Sequence, residues 1–145
     1  MLLLAAFRSV VDELHAELAL SGHEQARPID GFALQAVGPA GVTISELGRR
    51  LGVSKQAAAK TARRLEDIGY ATRSPHPADG RAQVLTRTSR GEEMLALSAE
   101  IFDRLHRRWA GQIGPDRLDA LETDLEAVTR STSTTWIGDL PGWLH

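Results

Sequence analysis

Residues 43–91 read TISELGRRLGVSKQAAAKTARRLEDIGYATRSPHPADGRAQVLTRTSRG, and the fold turns on the middle of that run, Leu51-Gly52-Val53-Ser54. Thr43 and Glu46 have the capping-box spacing, in which the hydroxyl accepts from the amide three residues on and the carboxylate reaches back to the first amide. A helix is therefore predicted from about residue 44, with Ile44, Leu47 and Leu51 inward and Arg49 and Arg50 on its outer edge. Gly52 can reverse the chain without a Cβ penalty. Ser54 is a good N-cap for a second helix over about residues 55–68. Beyond Gly69, Tyr70–Ser74 and Ala82–Thr88 are β-prone runs on either side of Pro75–Arg81, where Asp79-Gly80 signals a hairpin turn. The pattern is helix, tight turn, helix, hairpin.

The second helix divides into two faces. Ala58, Thr61, Ala62, Leu65 and Ile68 follow helical spacing and are expected to pack on the preceding helix, while Lys55, Gln56, Ala59, Lys60 and Arg63 fall opposite. Small residues between long polar ones let such a helix approach another surface closely. This suits a recognition helix, with Gln56 able to pair with adenine, Lys55 or Lys60 able to donate to guanine, and Lys60, Arg63 and Arg64 holding phosphates. On the hairpin, Arg81 is placed to enter a minor groove, with Asp79 orienting it.

Charge agrees with that reading. The 145 residues sum to only −2, yet residues 43–91 carry ten Lys/Arg against four acids, a balance of +6 that leaves −8 for the rest. A basic module in an acidic frame is the footprint of a local DNA-binding surface. The absence of cysteine excludes disulfides, Cys-ligated zinc and thiol redox sensing. Met1–Phe7 is apolar, but Arg8, Asp12 and Glu13 follow too soon for a signal peptide or a membrane span. A cytoplasmic protein without membrane association is expected.

The flanks read as helices. Leu3, Leu4, Phe7, Val10, Val11, Leu14 and Leu18 form one apolar stripe over residues 1–20, which Gly22 and Pro28 end. Residues 29–37 make a short helix with Phe32, Leu34 and Val37 inward, closed by Gly38-Pro39-Ala40-Gly41. Residues 91–110 carry two adjacent stripes, Met94, Leu97, Ile101 and Leu105 beside Leu95, Phe102 and Trp109. After Gly114-Pro115, Leu118, Leu121, Leu125 and Val128 follow a three-four spacing typical of helix pairing. Trp136, Leu140, Trp143 and Leu144 make an apolar tail. The expected organisation is one domain, mainly α with a small β-hairpin wing (α+β). Residues 1–25 and 92–145 form a helical dimerisation region, in which Leu3, Phe7, Val10, Leu14, Leu118, Leu121, Leu125 and Val128 are the candidate contacts. Residues 28–91 form the DNA-binding lobe.

Thr43 to Gly91 resembles the MarR family of winged-helix transcriptional regulators. The likeness rests on Ser45-Glu46-Leu47, Leu51-Gly52-Val53-Ser54, Arg64-Leu65-Glu66, Gly69-Tyr70, Arg73, Asp79-Gly80-Arg81, Thr88 and Gly91. The resemblance implies a dimer interlocked by its first and last helices, recognition helices in successive major grooves and a wing arginine in a minor groove. It also implies a crevice for an organic anion between the dimer helices and the DNA-binding lobe. Two positions depart from the family pattern. Gly80 stands where the wing usually has a first arginine, and Arg87 stands where an apolar residue usually precedes the threonine.

The five histidines are scattered, and no HExxH run, phosphate loop or Ser/His/Asp context appears, so neither an enzyme nor a resident cofactor is expected. His23-Glu24 could be half of a zinc site, as in metal-sensing relatives. The leading expectation is a homodimeric regulator, a repressor, that binds a pseudo-palindromic operator with half-sites roughly 34 Å apart. Its DNA-contacting set is Ser54, Lys55, Gln56, Lys60, Arg63, Arg64, Arg73, Asp79 and Arg81. A small aromatic or phenolic ligand is the expected effector. The competing reading is a winged-helix protein-interaction module whose basic face meets an acidic partner.

Overall fold

The computed structural model describes residues 1–75 and 83–130. The hairpin tip with Asp79 and Arg81, and the tail with Trp136, Leu140, Trp143 and Leu144, lie outside the described residues. The chain runs α1 (Leu2–Leu20), α2 (Pro28–Val37), β1 (Val42–Thr43), α3 (Ile44–Leu51), α4 (Lys55–Asp67), β2 (Ala71–Pro75), β3 (Gln83–Arg87), α5 (Ser89–Ile113) and α6 (Pro115–Arg130). This is a winged helix flanked by long helices, as the sequence predicts.

Local chemistry sets the boundaries of the helix-turn-helix. The Thr43 hydroxyl accepts from the Glu46 amide at 3.2 Å, so α3 starts where the capping spacing places it. Only half of the capping box forms, because the Glu46 carboxylate turns outward to the guanidinium groups of Arg49 and Arg50. Gly52 ends α3 in the left-handed region at φ 66°, ψ 28°, a conformation in which Cβ is costly. Ser54 then accepts from the Ala57 amide at 3.2 Å and opens α4. The exit of α4 is a Schellman motif, with the Tyr70 amide donating to Leu65 O at 2.8 Å and the Gly69 amide to Glu66 O at 2.9 Å.

The sheet has the order β1-β3-β2, all antiparallel, with Val42 opposite Leu85, Arg73 opposite Leu85 on the other side, and Ala71 opposite Arg87. Strand β1 was not expected. It has two residues, too few for any alternation, and its existence depends on β3 offering an edge. One core joins Leu14 and Leu18 of α1, Leu34 and Val37 of α2, Leu47 of α3, Leu65 of α4, Leu85 of β3 and Met94 and Ile101 of α5. The Ala58 and Ala62 positions of α4 are fully buried.

Two of the candidate dimer residues are covered without a second chain. Leu14 and Leu118 are buried within their own chain, because α1 and α6 each pack one face on α5. Val10 packs against the core as well. Leu3, Phe7, Leu121 and Val128 remain exposed and Leu125 is half-buried. Arg108 clamps Glu13 through both carboxylate oxygens, at 2.7 and 2.6 Å, and Arg104 pairs with Glu17, so α1 is also tied to α5 by charge.

Tyr70 is where the lobe meets α5. Its carbonyl accepts from the Thr88 amide at 3.0 Å, and the Thr88 side chain caps α5 by accepting from the Gly91 amide at 3.2 Å. A Cβ on residue 91 would stand 2.2 Å from the Tyr70 carbonyl oxygen. Gly91→Ala is therefore expected to destabilise the fold by about 3 kcal/mol through overpacking against backbone that cannot retreat. Urea unfolding at an unchanged m-value checks this; a loss under about 0.5 kcal/mol would mean that α5 can shift away.

Candidate nucleic-acid interface

Helix α4 places Gln56, Lys60 and Arg63 in solvent on the side opposite the buried Ala58, Ala62 and Leu65, and Lys55 in solvent at its first turn. Burying those three residues against α3 fixes the roll of the helix, and the roll decides which side chains face outward. Ser54 is exposed at the N-terminus of α4. Its hydroxyl oxygen serves as the helix cap and its O–H remains free to donate outward. Arg49 adds a mostly exposed cation at the edge of α3, paired with Glu46. Hydrogen bonding from Arg50, with Arg49 beside it, holds the Glu46 carboxyl below the usual range, so it stays ionised beside those cations at neutral pH.

Other cations of the basic stretch are turned inward. Arg64, expected to hold a phosphate, instead grips Asp30 of α2: Nε donates to Oδ1 at 2.9 Å and Nη2 to Oδ2 at 2.8 Å, while Nη2 also reaches Gln25 O at 2.7 Å. Asp30 has no exposed surface and also accepts from the Arg27 amide at 2.8 Å. A buried carboxylate requires such donors, and donating to Asp30 pushes the Arg64 guanidinium above its ordinary range. Arg73, the other expected contact on β2, lies 2.9 Å from Glu66 of α4 with most of its side chain covered. It fastens the wing's first strand to α4.

Arg50 donates to Ala36 O at 2.9 Å and Arg87 to Leu34 O at 2.8 Å, so two guanidinium groups meet the carbonyl end of α2. Cations there satisfy orphan carbonyls and complement the helix dipole. This accounts for Arg87 at a position where an apolar side chain was expected. Its head contacts α2 and Glu92, and only 11% of its side chain is exposed. Arg90 donates to Gly22 O at 2.6 Å and lies over the Tyr70 ring, 5.7 Å from its centroid. The candidate surface thus consists of Arg49, Ser54, Lys55, Gln56, Lys60 and Arg63. Asp79 and Arg81 lie outside the described residues.

Sequence reading missed Asp30 altogether. The signal was an acid at the i−3, i−4 and i−7 positions to Ala33, Leu34 and Val37, a carboxylate on an apolar face. It missed His23 as a core residue too. His23 is buried, with Nδ1 2.9 Å from the Tyr70 hydroxyl and Nε2 4.0 Å from Glu93, an exposed carboxylate. One ring nitrogen is therefore already engaged by the tyrosine. Among the described residues no three His, Asp or Glu side chains stand together as a metal would need. None of the described helices is long and apolar enough to cross a membrane.

A cavity of about 100 Å³ lies between α1, α2 and α5, walled by Val10, Leu14, Phe32, Met94 and Phe102, with Arg27, His15 and Ser98 also on its lining. That volume is on the scale of cavities that take up a single benzene-sized ring. His15 Nε2 is buried without a hydrogen-bond partner among the described residues.

Residues 31–82 match the sequence model of the MarR family. No curated protein matches the chain in sequence. Among solved structures, a transcriptional regulator of Thermotoga maritima is 27% identical, with 90% of each chain covered and a TM-score of 0.60. Reduced MarR of E. coli is 22% identical over 88% of this chain and 93% of that one, with a TM-score of 0.70. FabT of Streptococcus pneumoniae, solved in complex with DNA, is 18% identical over 90% and 92%, with a TM-score of 0.76.

The His23–Tyr70 contact has a pH signature. Burial, helped by the positive charge of Arg90, lowers the His23 pKa below 6.5, and Glu93 and Glu24 oppose this only in part. The unfolded chain then binds the proton more readily. The stability contributed by neutral His23 is full above pH 6.5 and is lost as pH falls from there through the depressed folded value. His23→Gln, which keeps a hydrogen-bonding group near Tyr70, is expected to flatten the fall in unfolding free energy between about pH 7 and 5. Parallel pH curves for the two proteins would show that the imidazole is not responsible.

Proposed function

We propose that the chain is a winged-helix protein of the MarR family, a homodimeric, sequence-specific DNA-binding regulator acting as a repressor in the cytoplasm, a binding protein and not a catalyst. The observation that carries this is the outward row Lys55, Gln56, Lys60 and Arg63 on a helix whose roll is fixed by buried alanines and leucine. Long polar and cationic side chains on a rigid helix suit a major groove, the amide reading a base edge and the cations meeting phosphates. FabT, with the same fold, has been solved with DNA, and so has a mutant of MepR from S. aureus, which supports the same use of this lobe.

Two copies are needed for a two-fold site. Leu3 and Phe7 of α1 and Leu121 and Val128 of α6 are all more than 40% exposed, an apolar face of the kind that a partner covers. A second chain docked there would space two recognition helices about one turn of DNA apart, roughly 34 Å. The cavity between α1, α2 and α5 is the proposed seat of a small aromatic or phenolic effector, which would release DNA by binding one arrangement of the dimer more tightly than the other.

With Arg64 turned inward, Lys55, Lys60 and Arg63 leave about three phosphate contacts per subunit. Six per dimer give a slope of log affinity on log salt near −5. Footprinting on the DNA upstream of its own coding sequence, followed by titration across salt, is expected to give a two-fold protected site with that slope. Lys60→Ala and Arg63→Ala should each reduce its magnitude by about 2 per dimer. A flat salt response, or no protected site, would favour a winged helix that meets an acidic protein instead. The double variant Leu3→Glu/Phe7→Glu is expected to sediment as a monomer and to lose the footprint. A dimer that persists would place the interface elsewhere.

A further inference from the structure

Helix α2 has two working faces. Pro28, Gly31 and Phe32 form part of the cavity wall, and Asp30, on the opposite side, is buried in its grip on Arg64 of the recognition helix. A helix interior is close-packed and moves as a unit, so anything that pushes on one face is felt at the other. At the far end of the same helix, Arg50 of α3 and Arg87 of β3 hold the carbonyls of Ala36 and Leu34. Three elements of the lobe are therefore fastened to α2 by guanidinium groups, while its cavity side faces α1 and α5 across a gap of about 100 Å³.

We propose that Asp30 is a positioning residue. Through its two-pronged bond to Arg64 it makes the recognition helix follow α2, so that a ring entering the cavity shifts the DNA-reading face. This rests on the DNA-binding reading above and adds the route by which an occupant acts. The bond is two-pronged and its carboxylate is fully buried, which leaves the pair little freedom to absorb a displacement of α2 by rotating. Arg64 sits in the last turn of α4, so a displacement there tilts the outward row instead of sliding it along its axis.

The chain has no cysteine, which makes a tethered occupant simple to install. Ser98→Cys, on the cavity lining, is labelled with benzyl methanethiosulfonate, leaving a benzyl group in disulfide linkage that a reductant removes. Affinity for the footprinted duplex is measured with and without the label. The pair is made in the parent chain and in one that also carries Asp30→Asn and Arg64→Met, which removes both charges together so that neither is left buried alone. The readout is the ratio of labelled to unlabelled affinity, because a lost phosphate contact or a general loss of stability would move both forms alike.

The label is expected to weaken binding about tenfold or more in the parent and less than about threefold when the pair is neutralised. An equal ratio in both backgrounds would overturn the role of Asp30. No effect of the label in the parent would overturn the link between cavity and helix, although DNA binding would stand. An unlabelled protein that binds no duplex would remove the DNA-binding reading and this inference with it. Ser98→Phe, which fills the same space genetically, repeats the comparison without chemistry, and thermal unfolding confirms that each variant is folded.

Discussion

A carboxylate with no exposed surface is among the most expensive groups a small core can hold, and Asp30 is tolerable only because three donors converge on it. Breaking such a pair from one side costs roughly 3 kcal/mol or more, whereas an apolar replacement of both partners is often neutral. The pair is therefore poor evidence of a stability device and better evidence of a geometric one. It ties the last turn of α4 to α2, and among the described residues α2 is in contact with α3, α4, α5 and the sheet alike. The buried alanines set which side chains of α4 face outward, and that junction holds the helix against α2.

The basic stretch has to be understood in the same light. Its charge asymmetry suggested a local DNA-binding surface, but Arg50, Arg64, Arg73, Arg87 and Arg90 bond within the chain. Arginine suits this use because its stem packs against apolar surface while its planar fork satisfies carbonyls and carboxylates in fixed directions. The lysines tell the other half. Lys55 and Lys60 are both exposed, as compact and strongly hydrated charges tend to be. A division of labour emerges in which arginine assembles the lobe and the outward row, lysine-rich at its start, remains for a partner.

Tyr70 joins the lobe to its frame by several independent means. Its amide closes the exit of α4, its carbonyl receives Thr88 and crowds Gly91, its hydroxyl meets His23, and Arg90 covers its ring. These contacts link the α1–α2 connection, α4 and α5 at one residue. Bonding is concentrated there and along the Asp30–Arg64 junction, while a cavity lies between α2 and the long helices α1 and α5.

The sequence alone determined the elements and their order. The Thr43 and Ser54 caps, Gly52, the alanine face of α4 and the three-four spacing of the long helices are local signals, and local hydrogen bonding and burial act on them within a few residues. What it could not settle was which polar side chains turn inward. Arg63 and Arg64 are neighbours with identical side chains, and only the arrival of Asp30 from another helix separates the exposed one from the bonded one. The same holds for β1, which exists because β3 runs beside it, for Leu14 and Leu118, whose burial depends on α5, and for His23, whose partner lies 47 residues away. Short-range pattern is written in the chain, but pairing between distant groups depends on where the packed helices bring them. That is a property of the whole core, since no single stretch contains both partners.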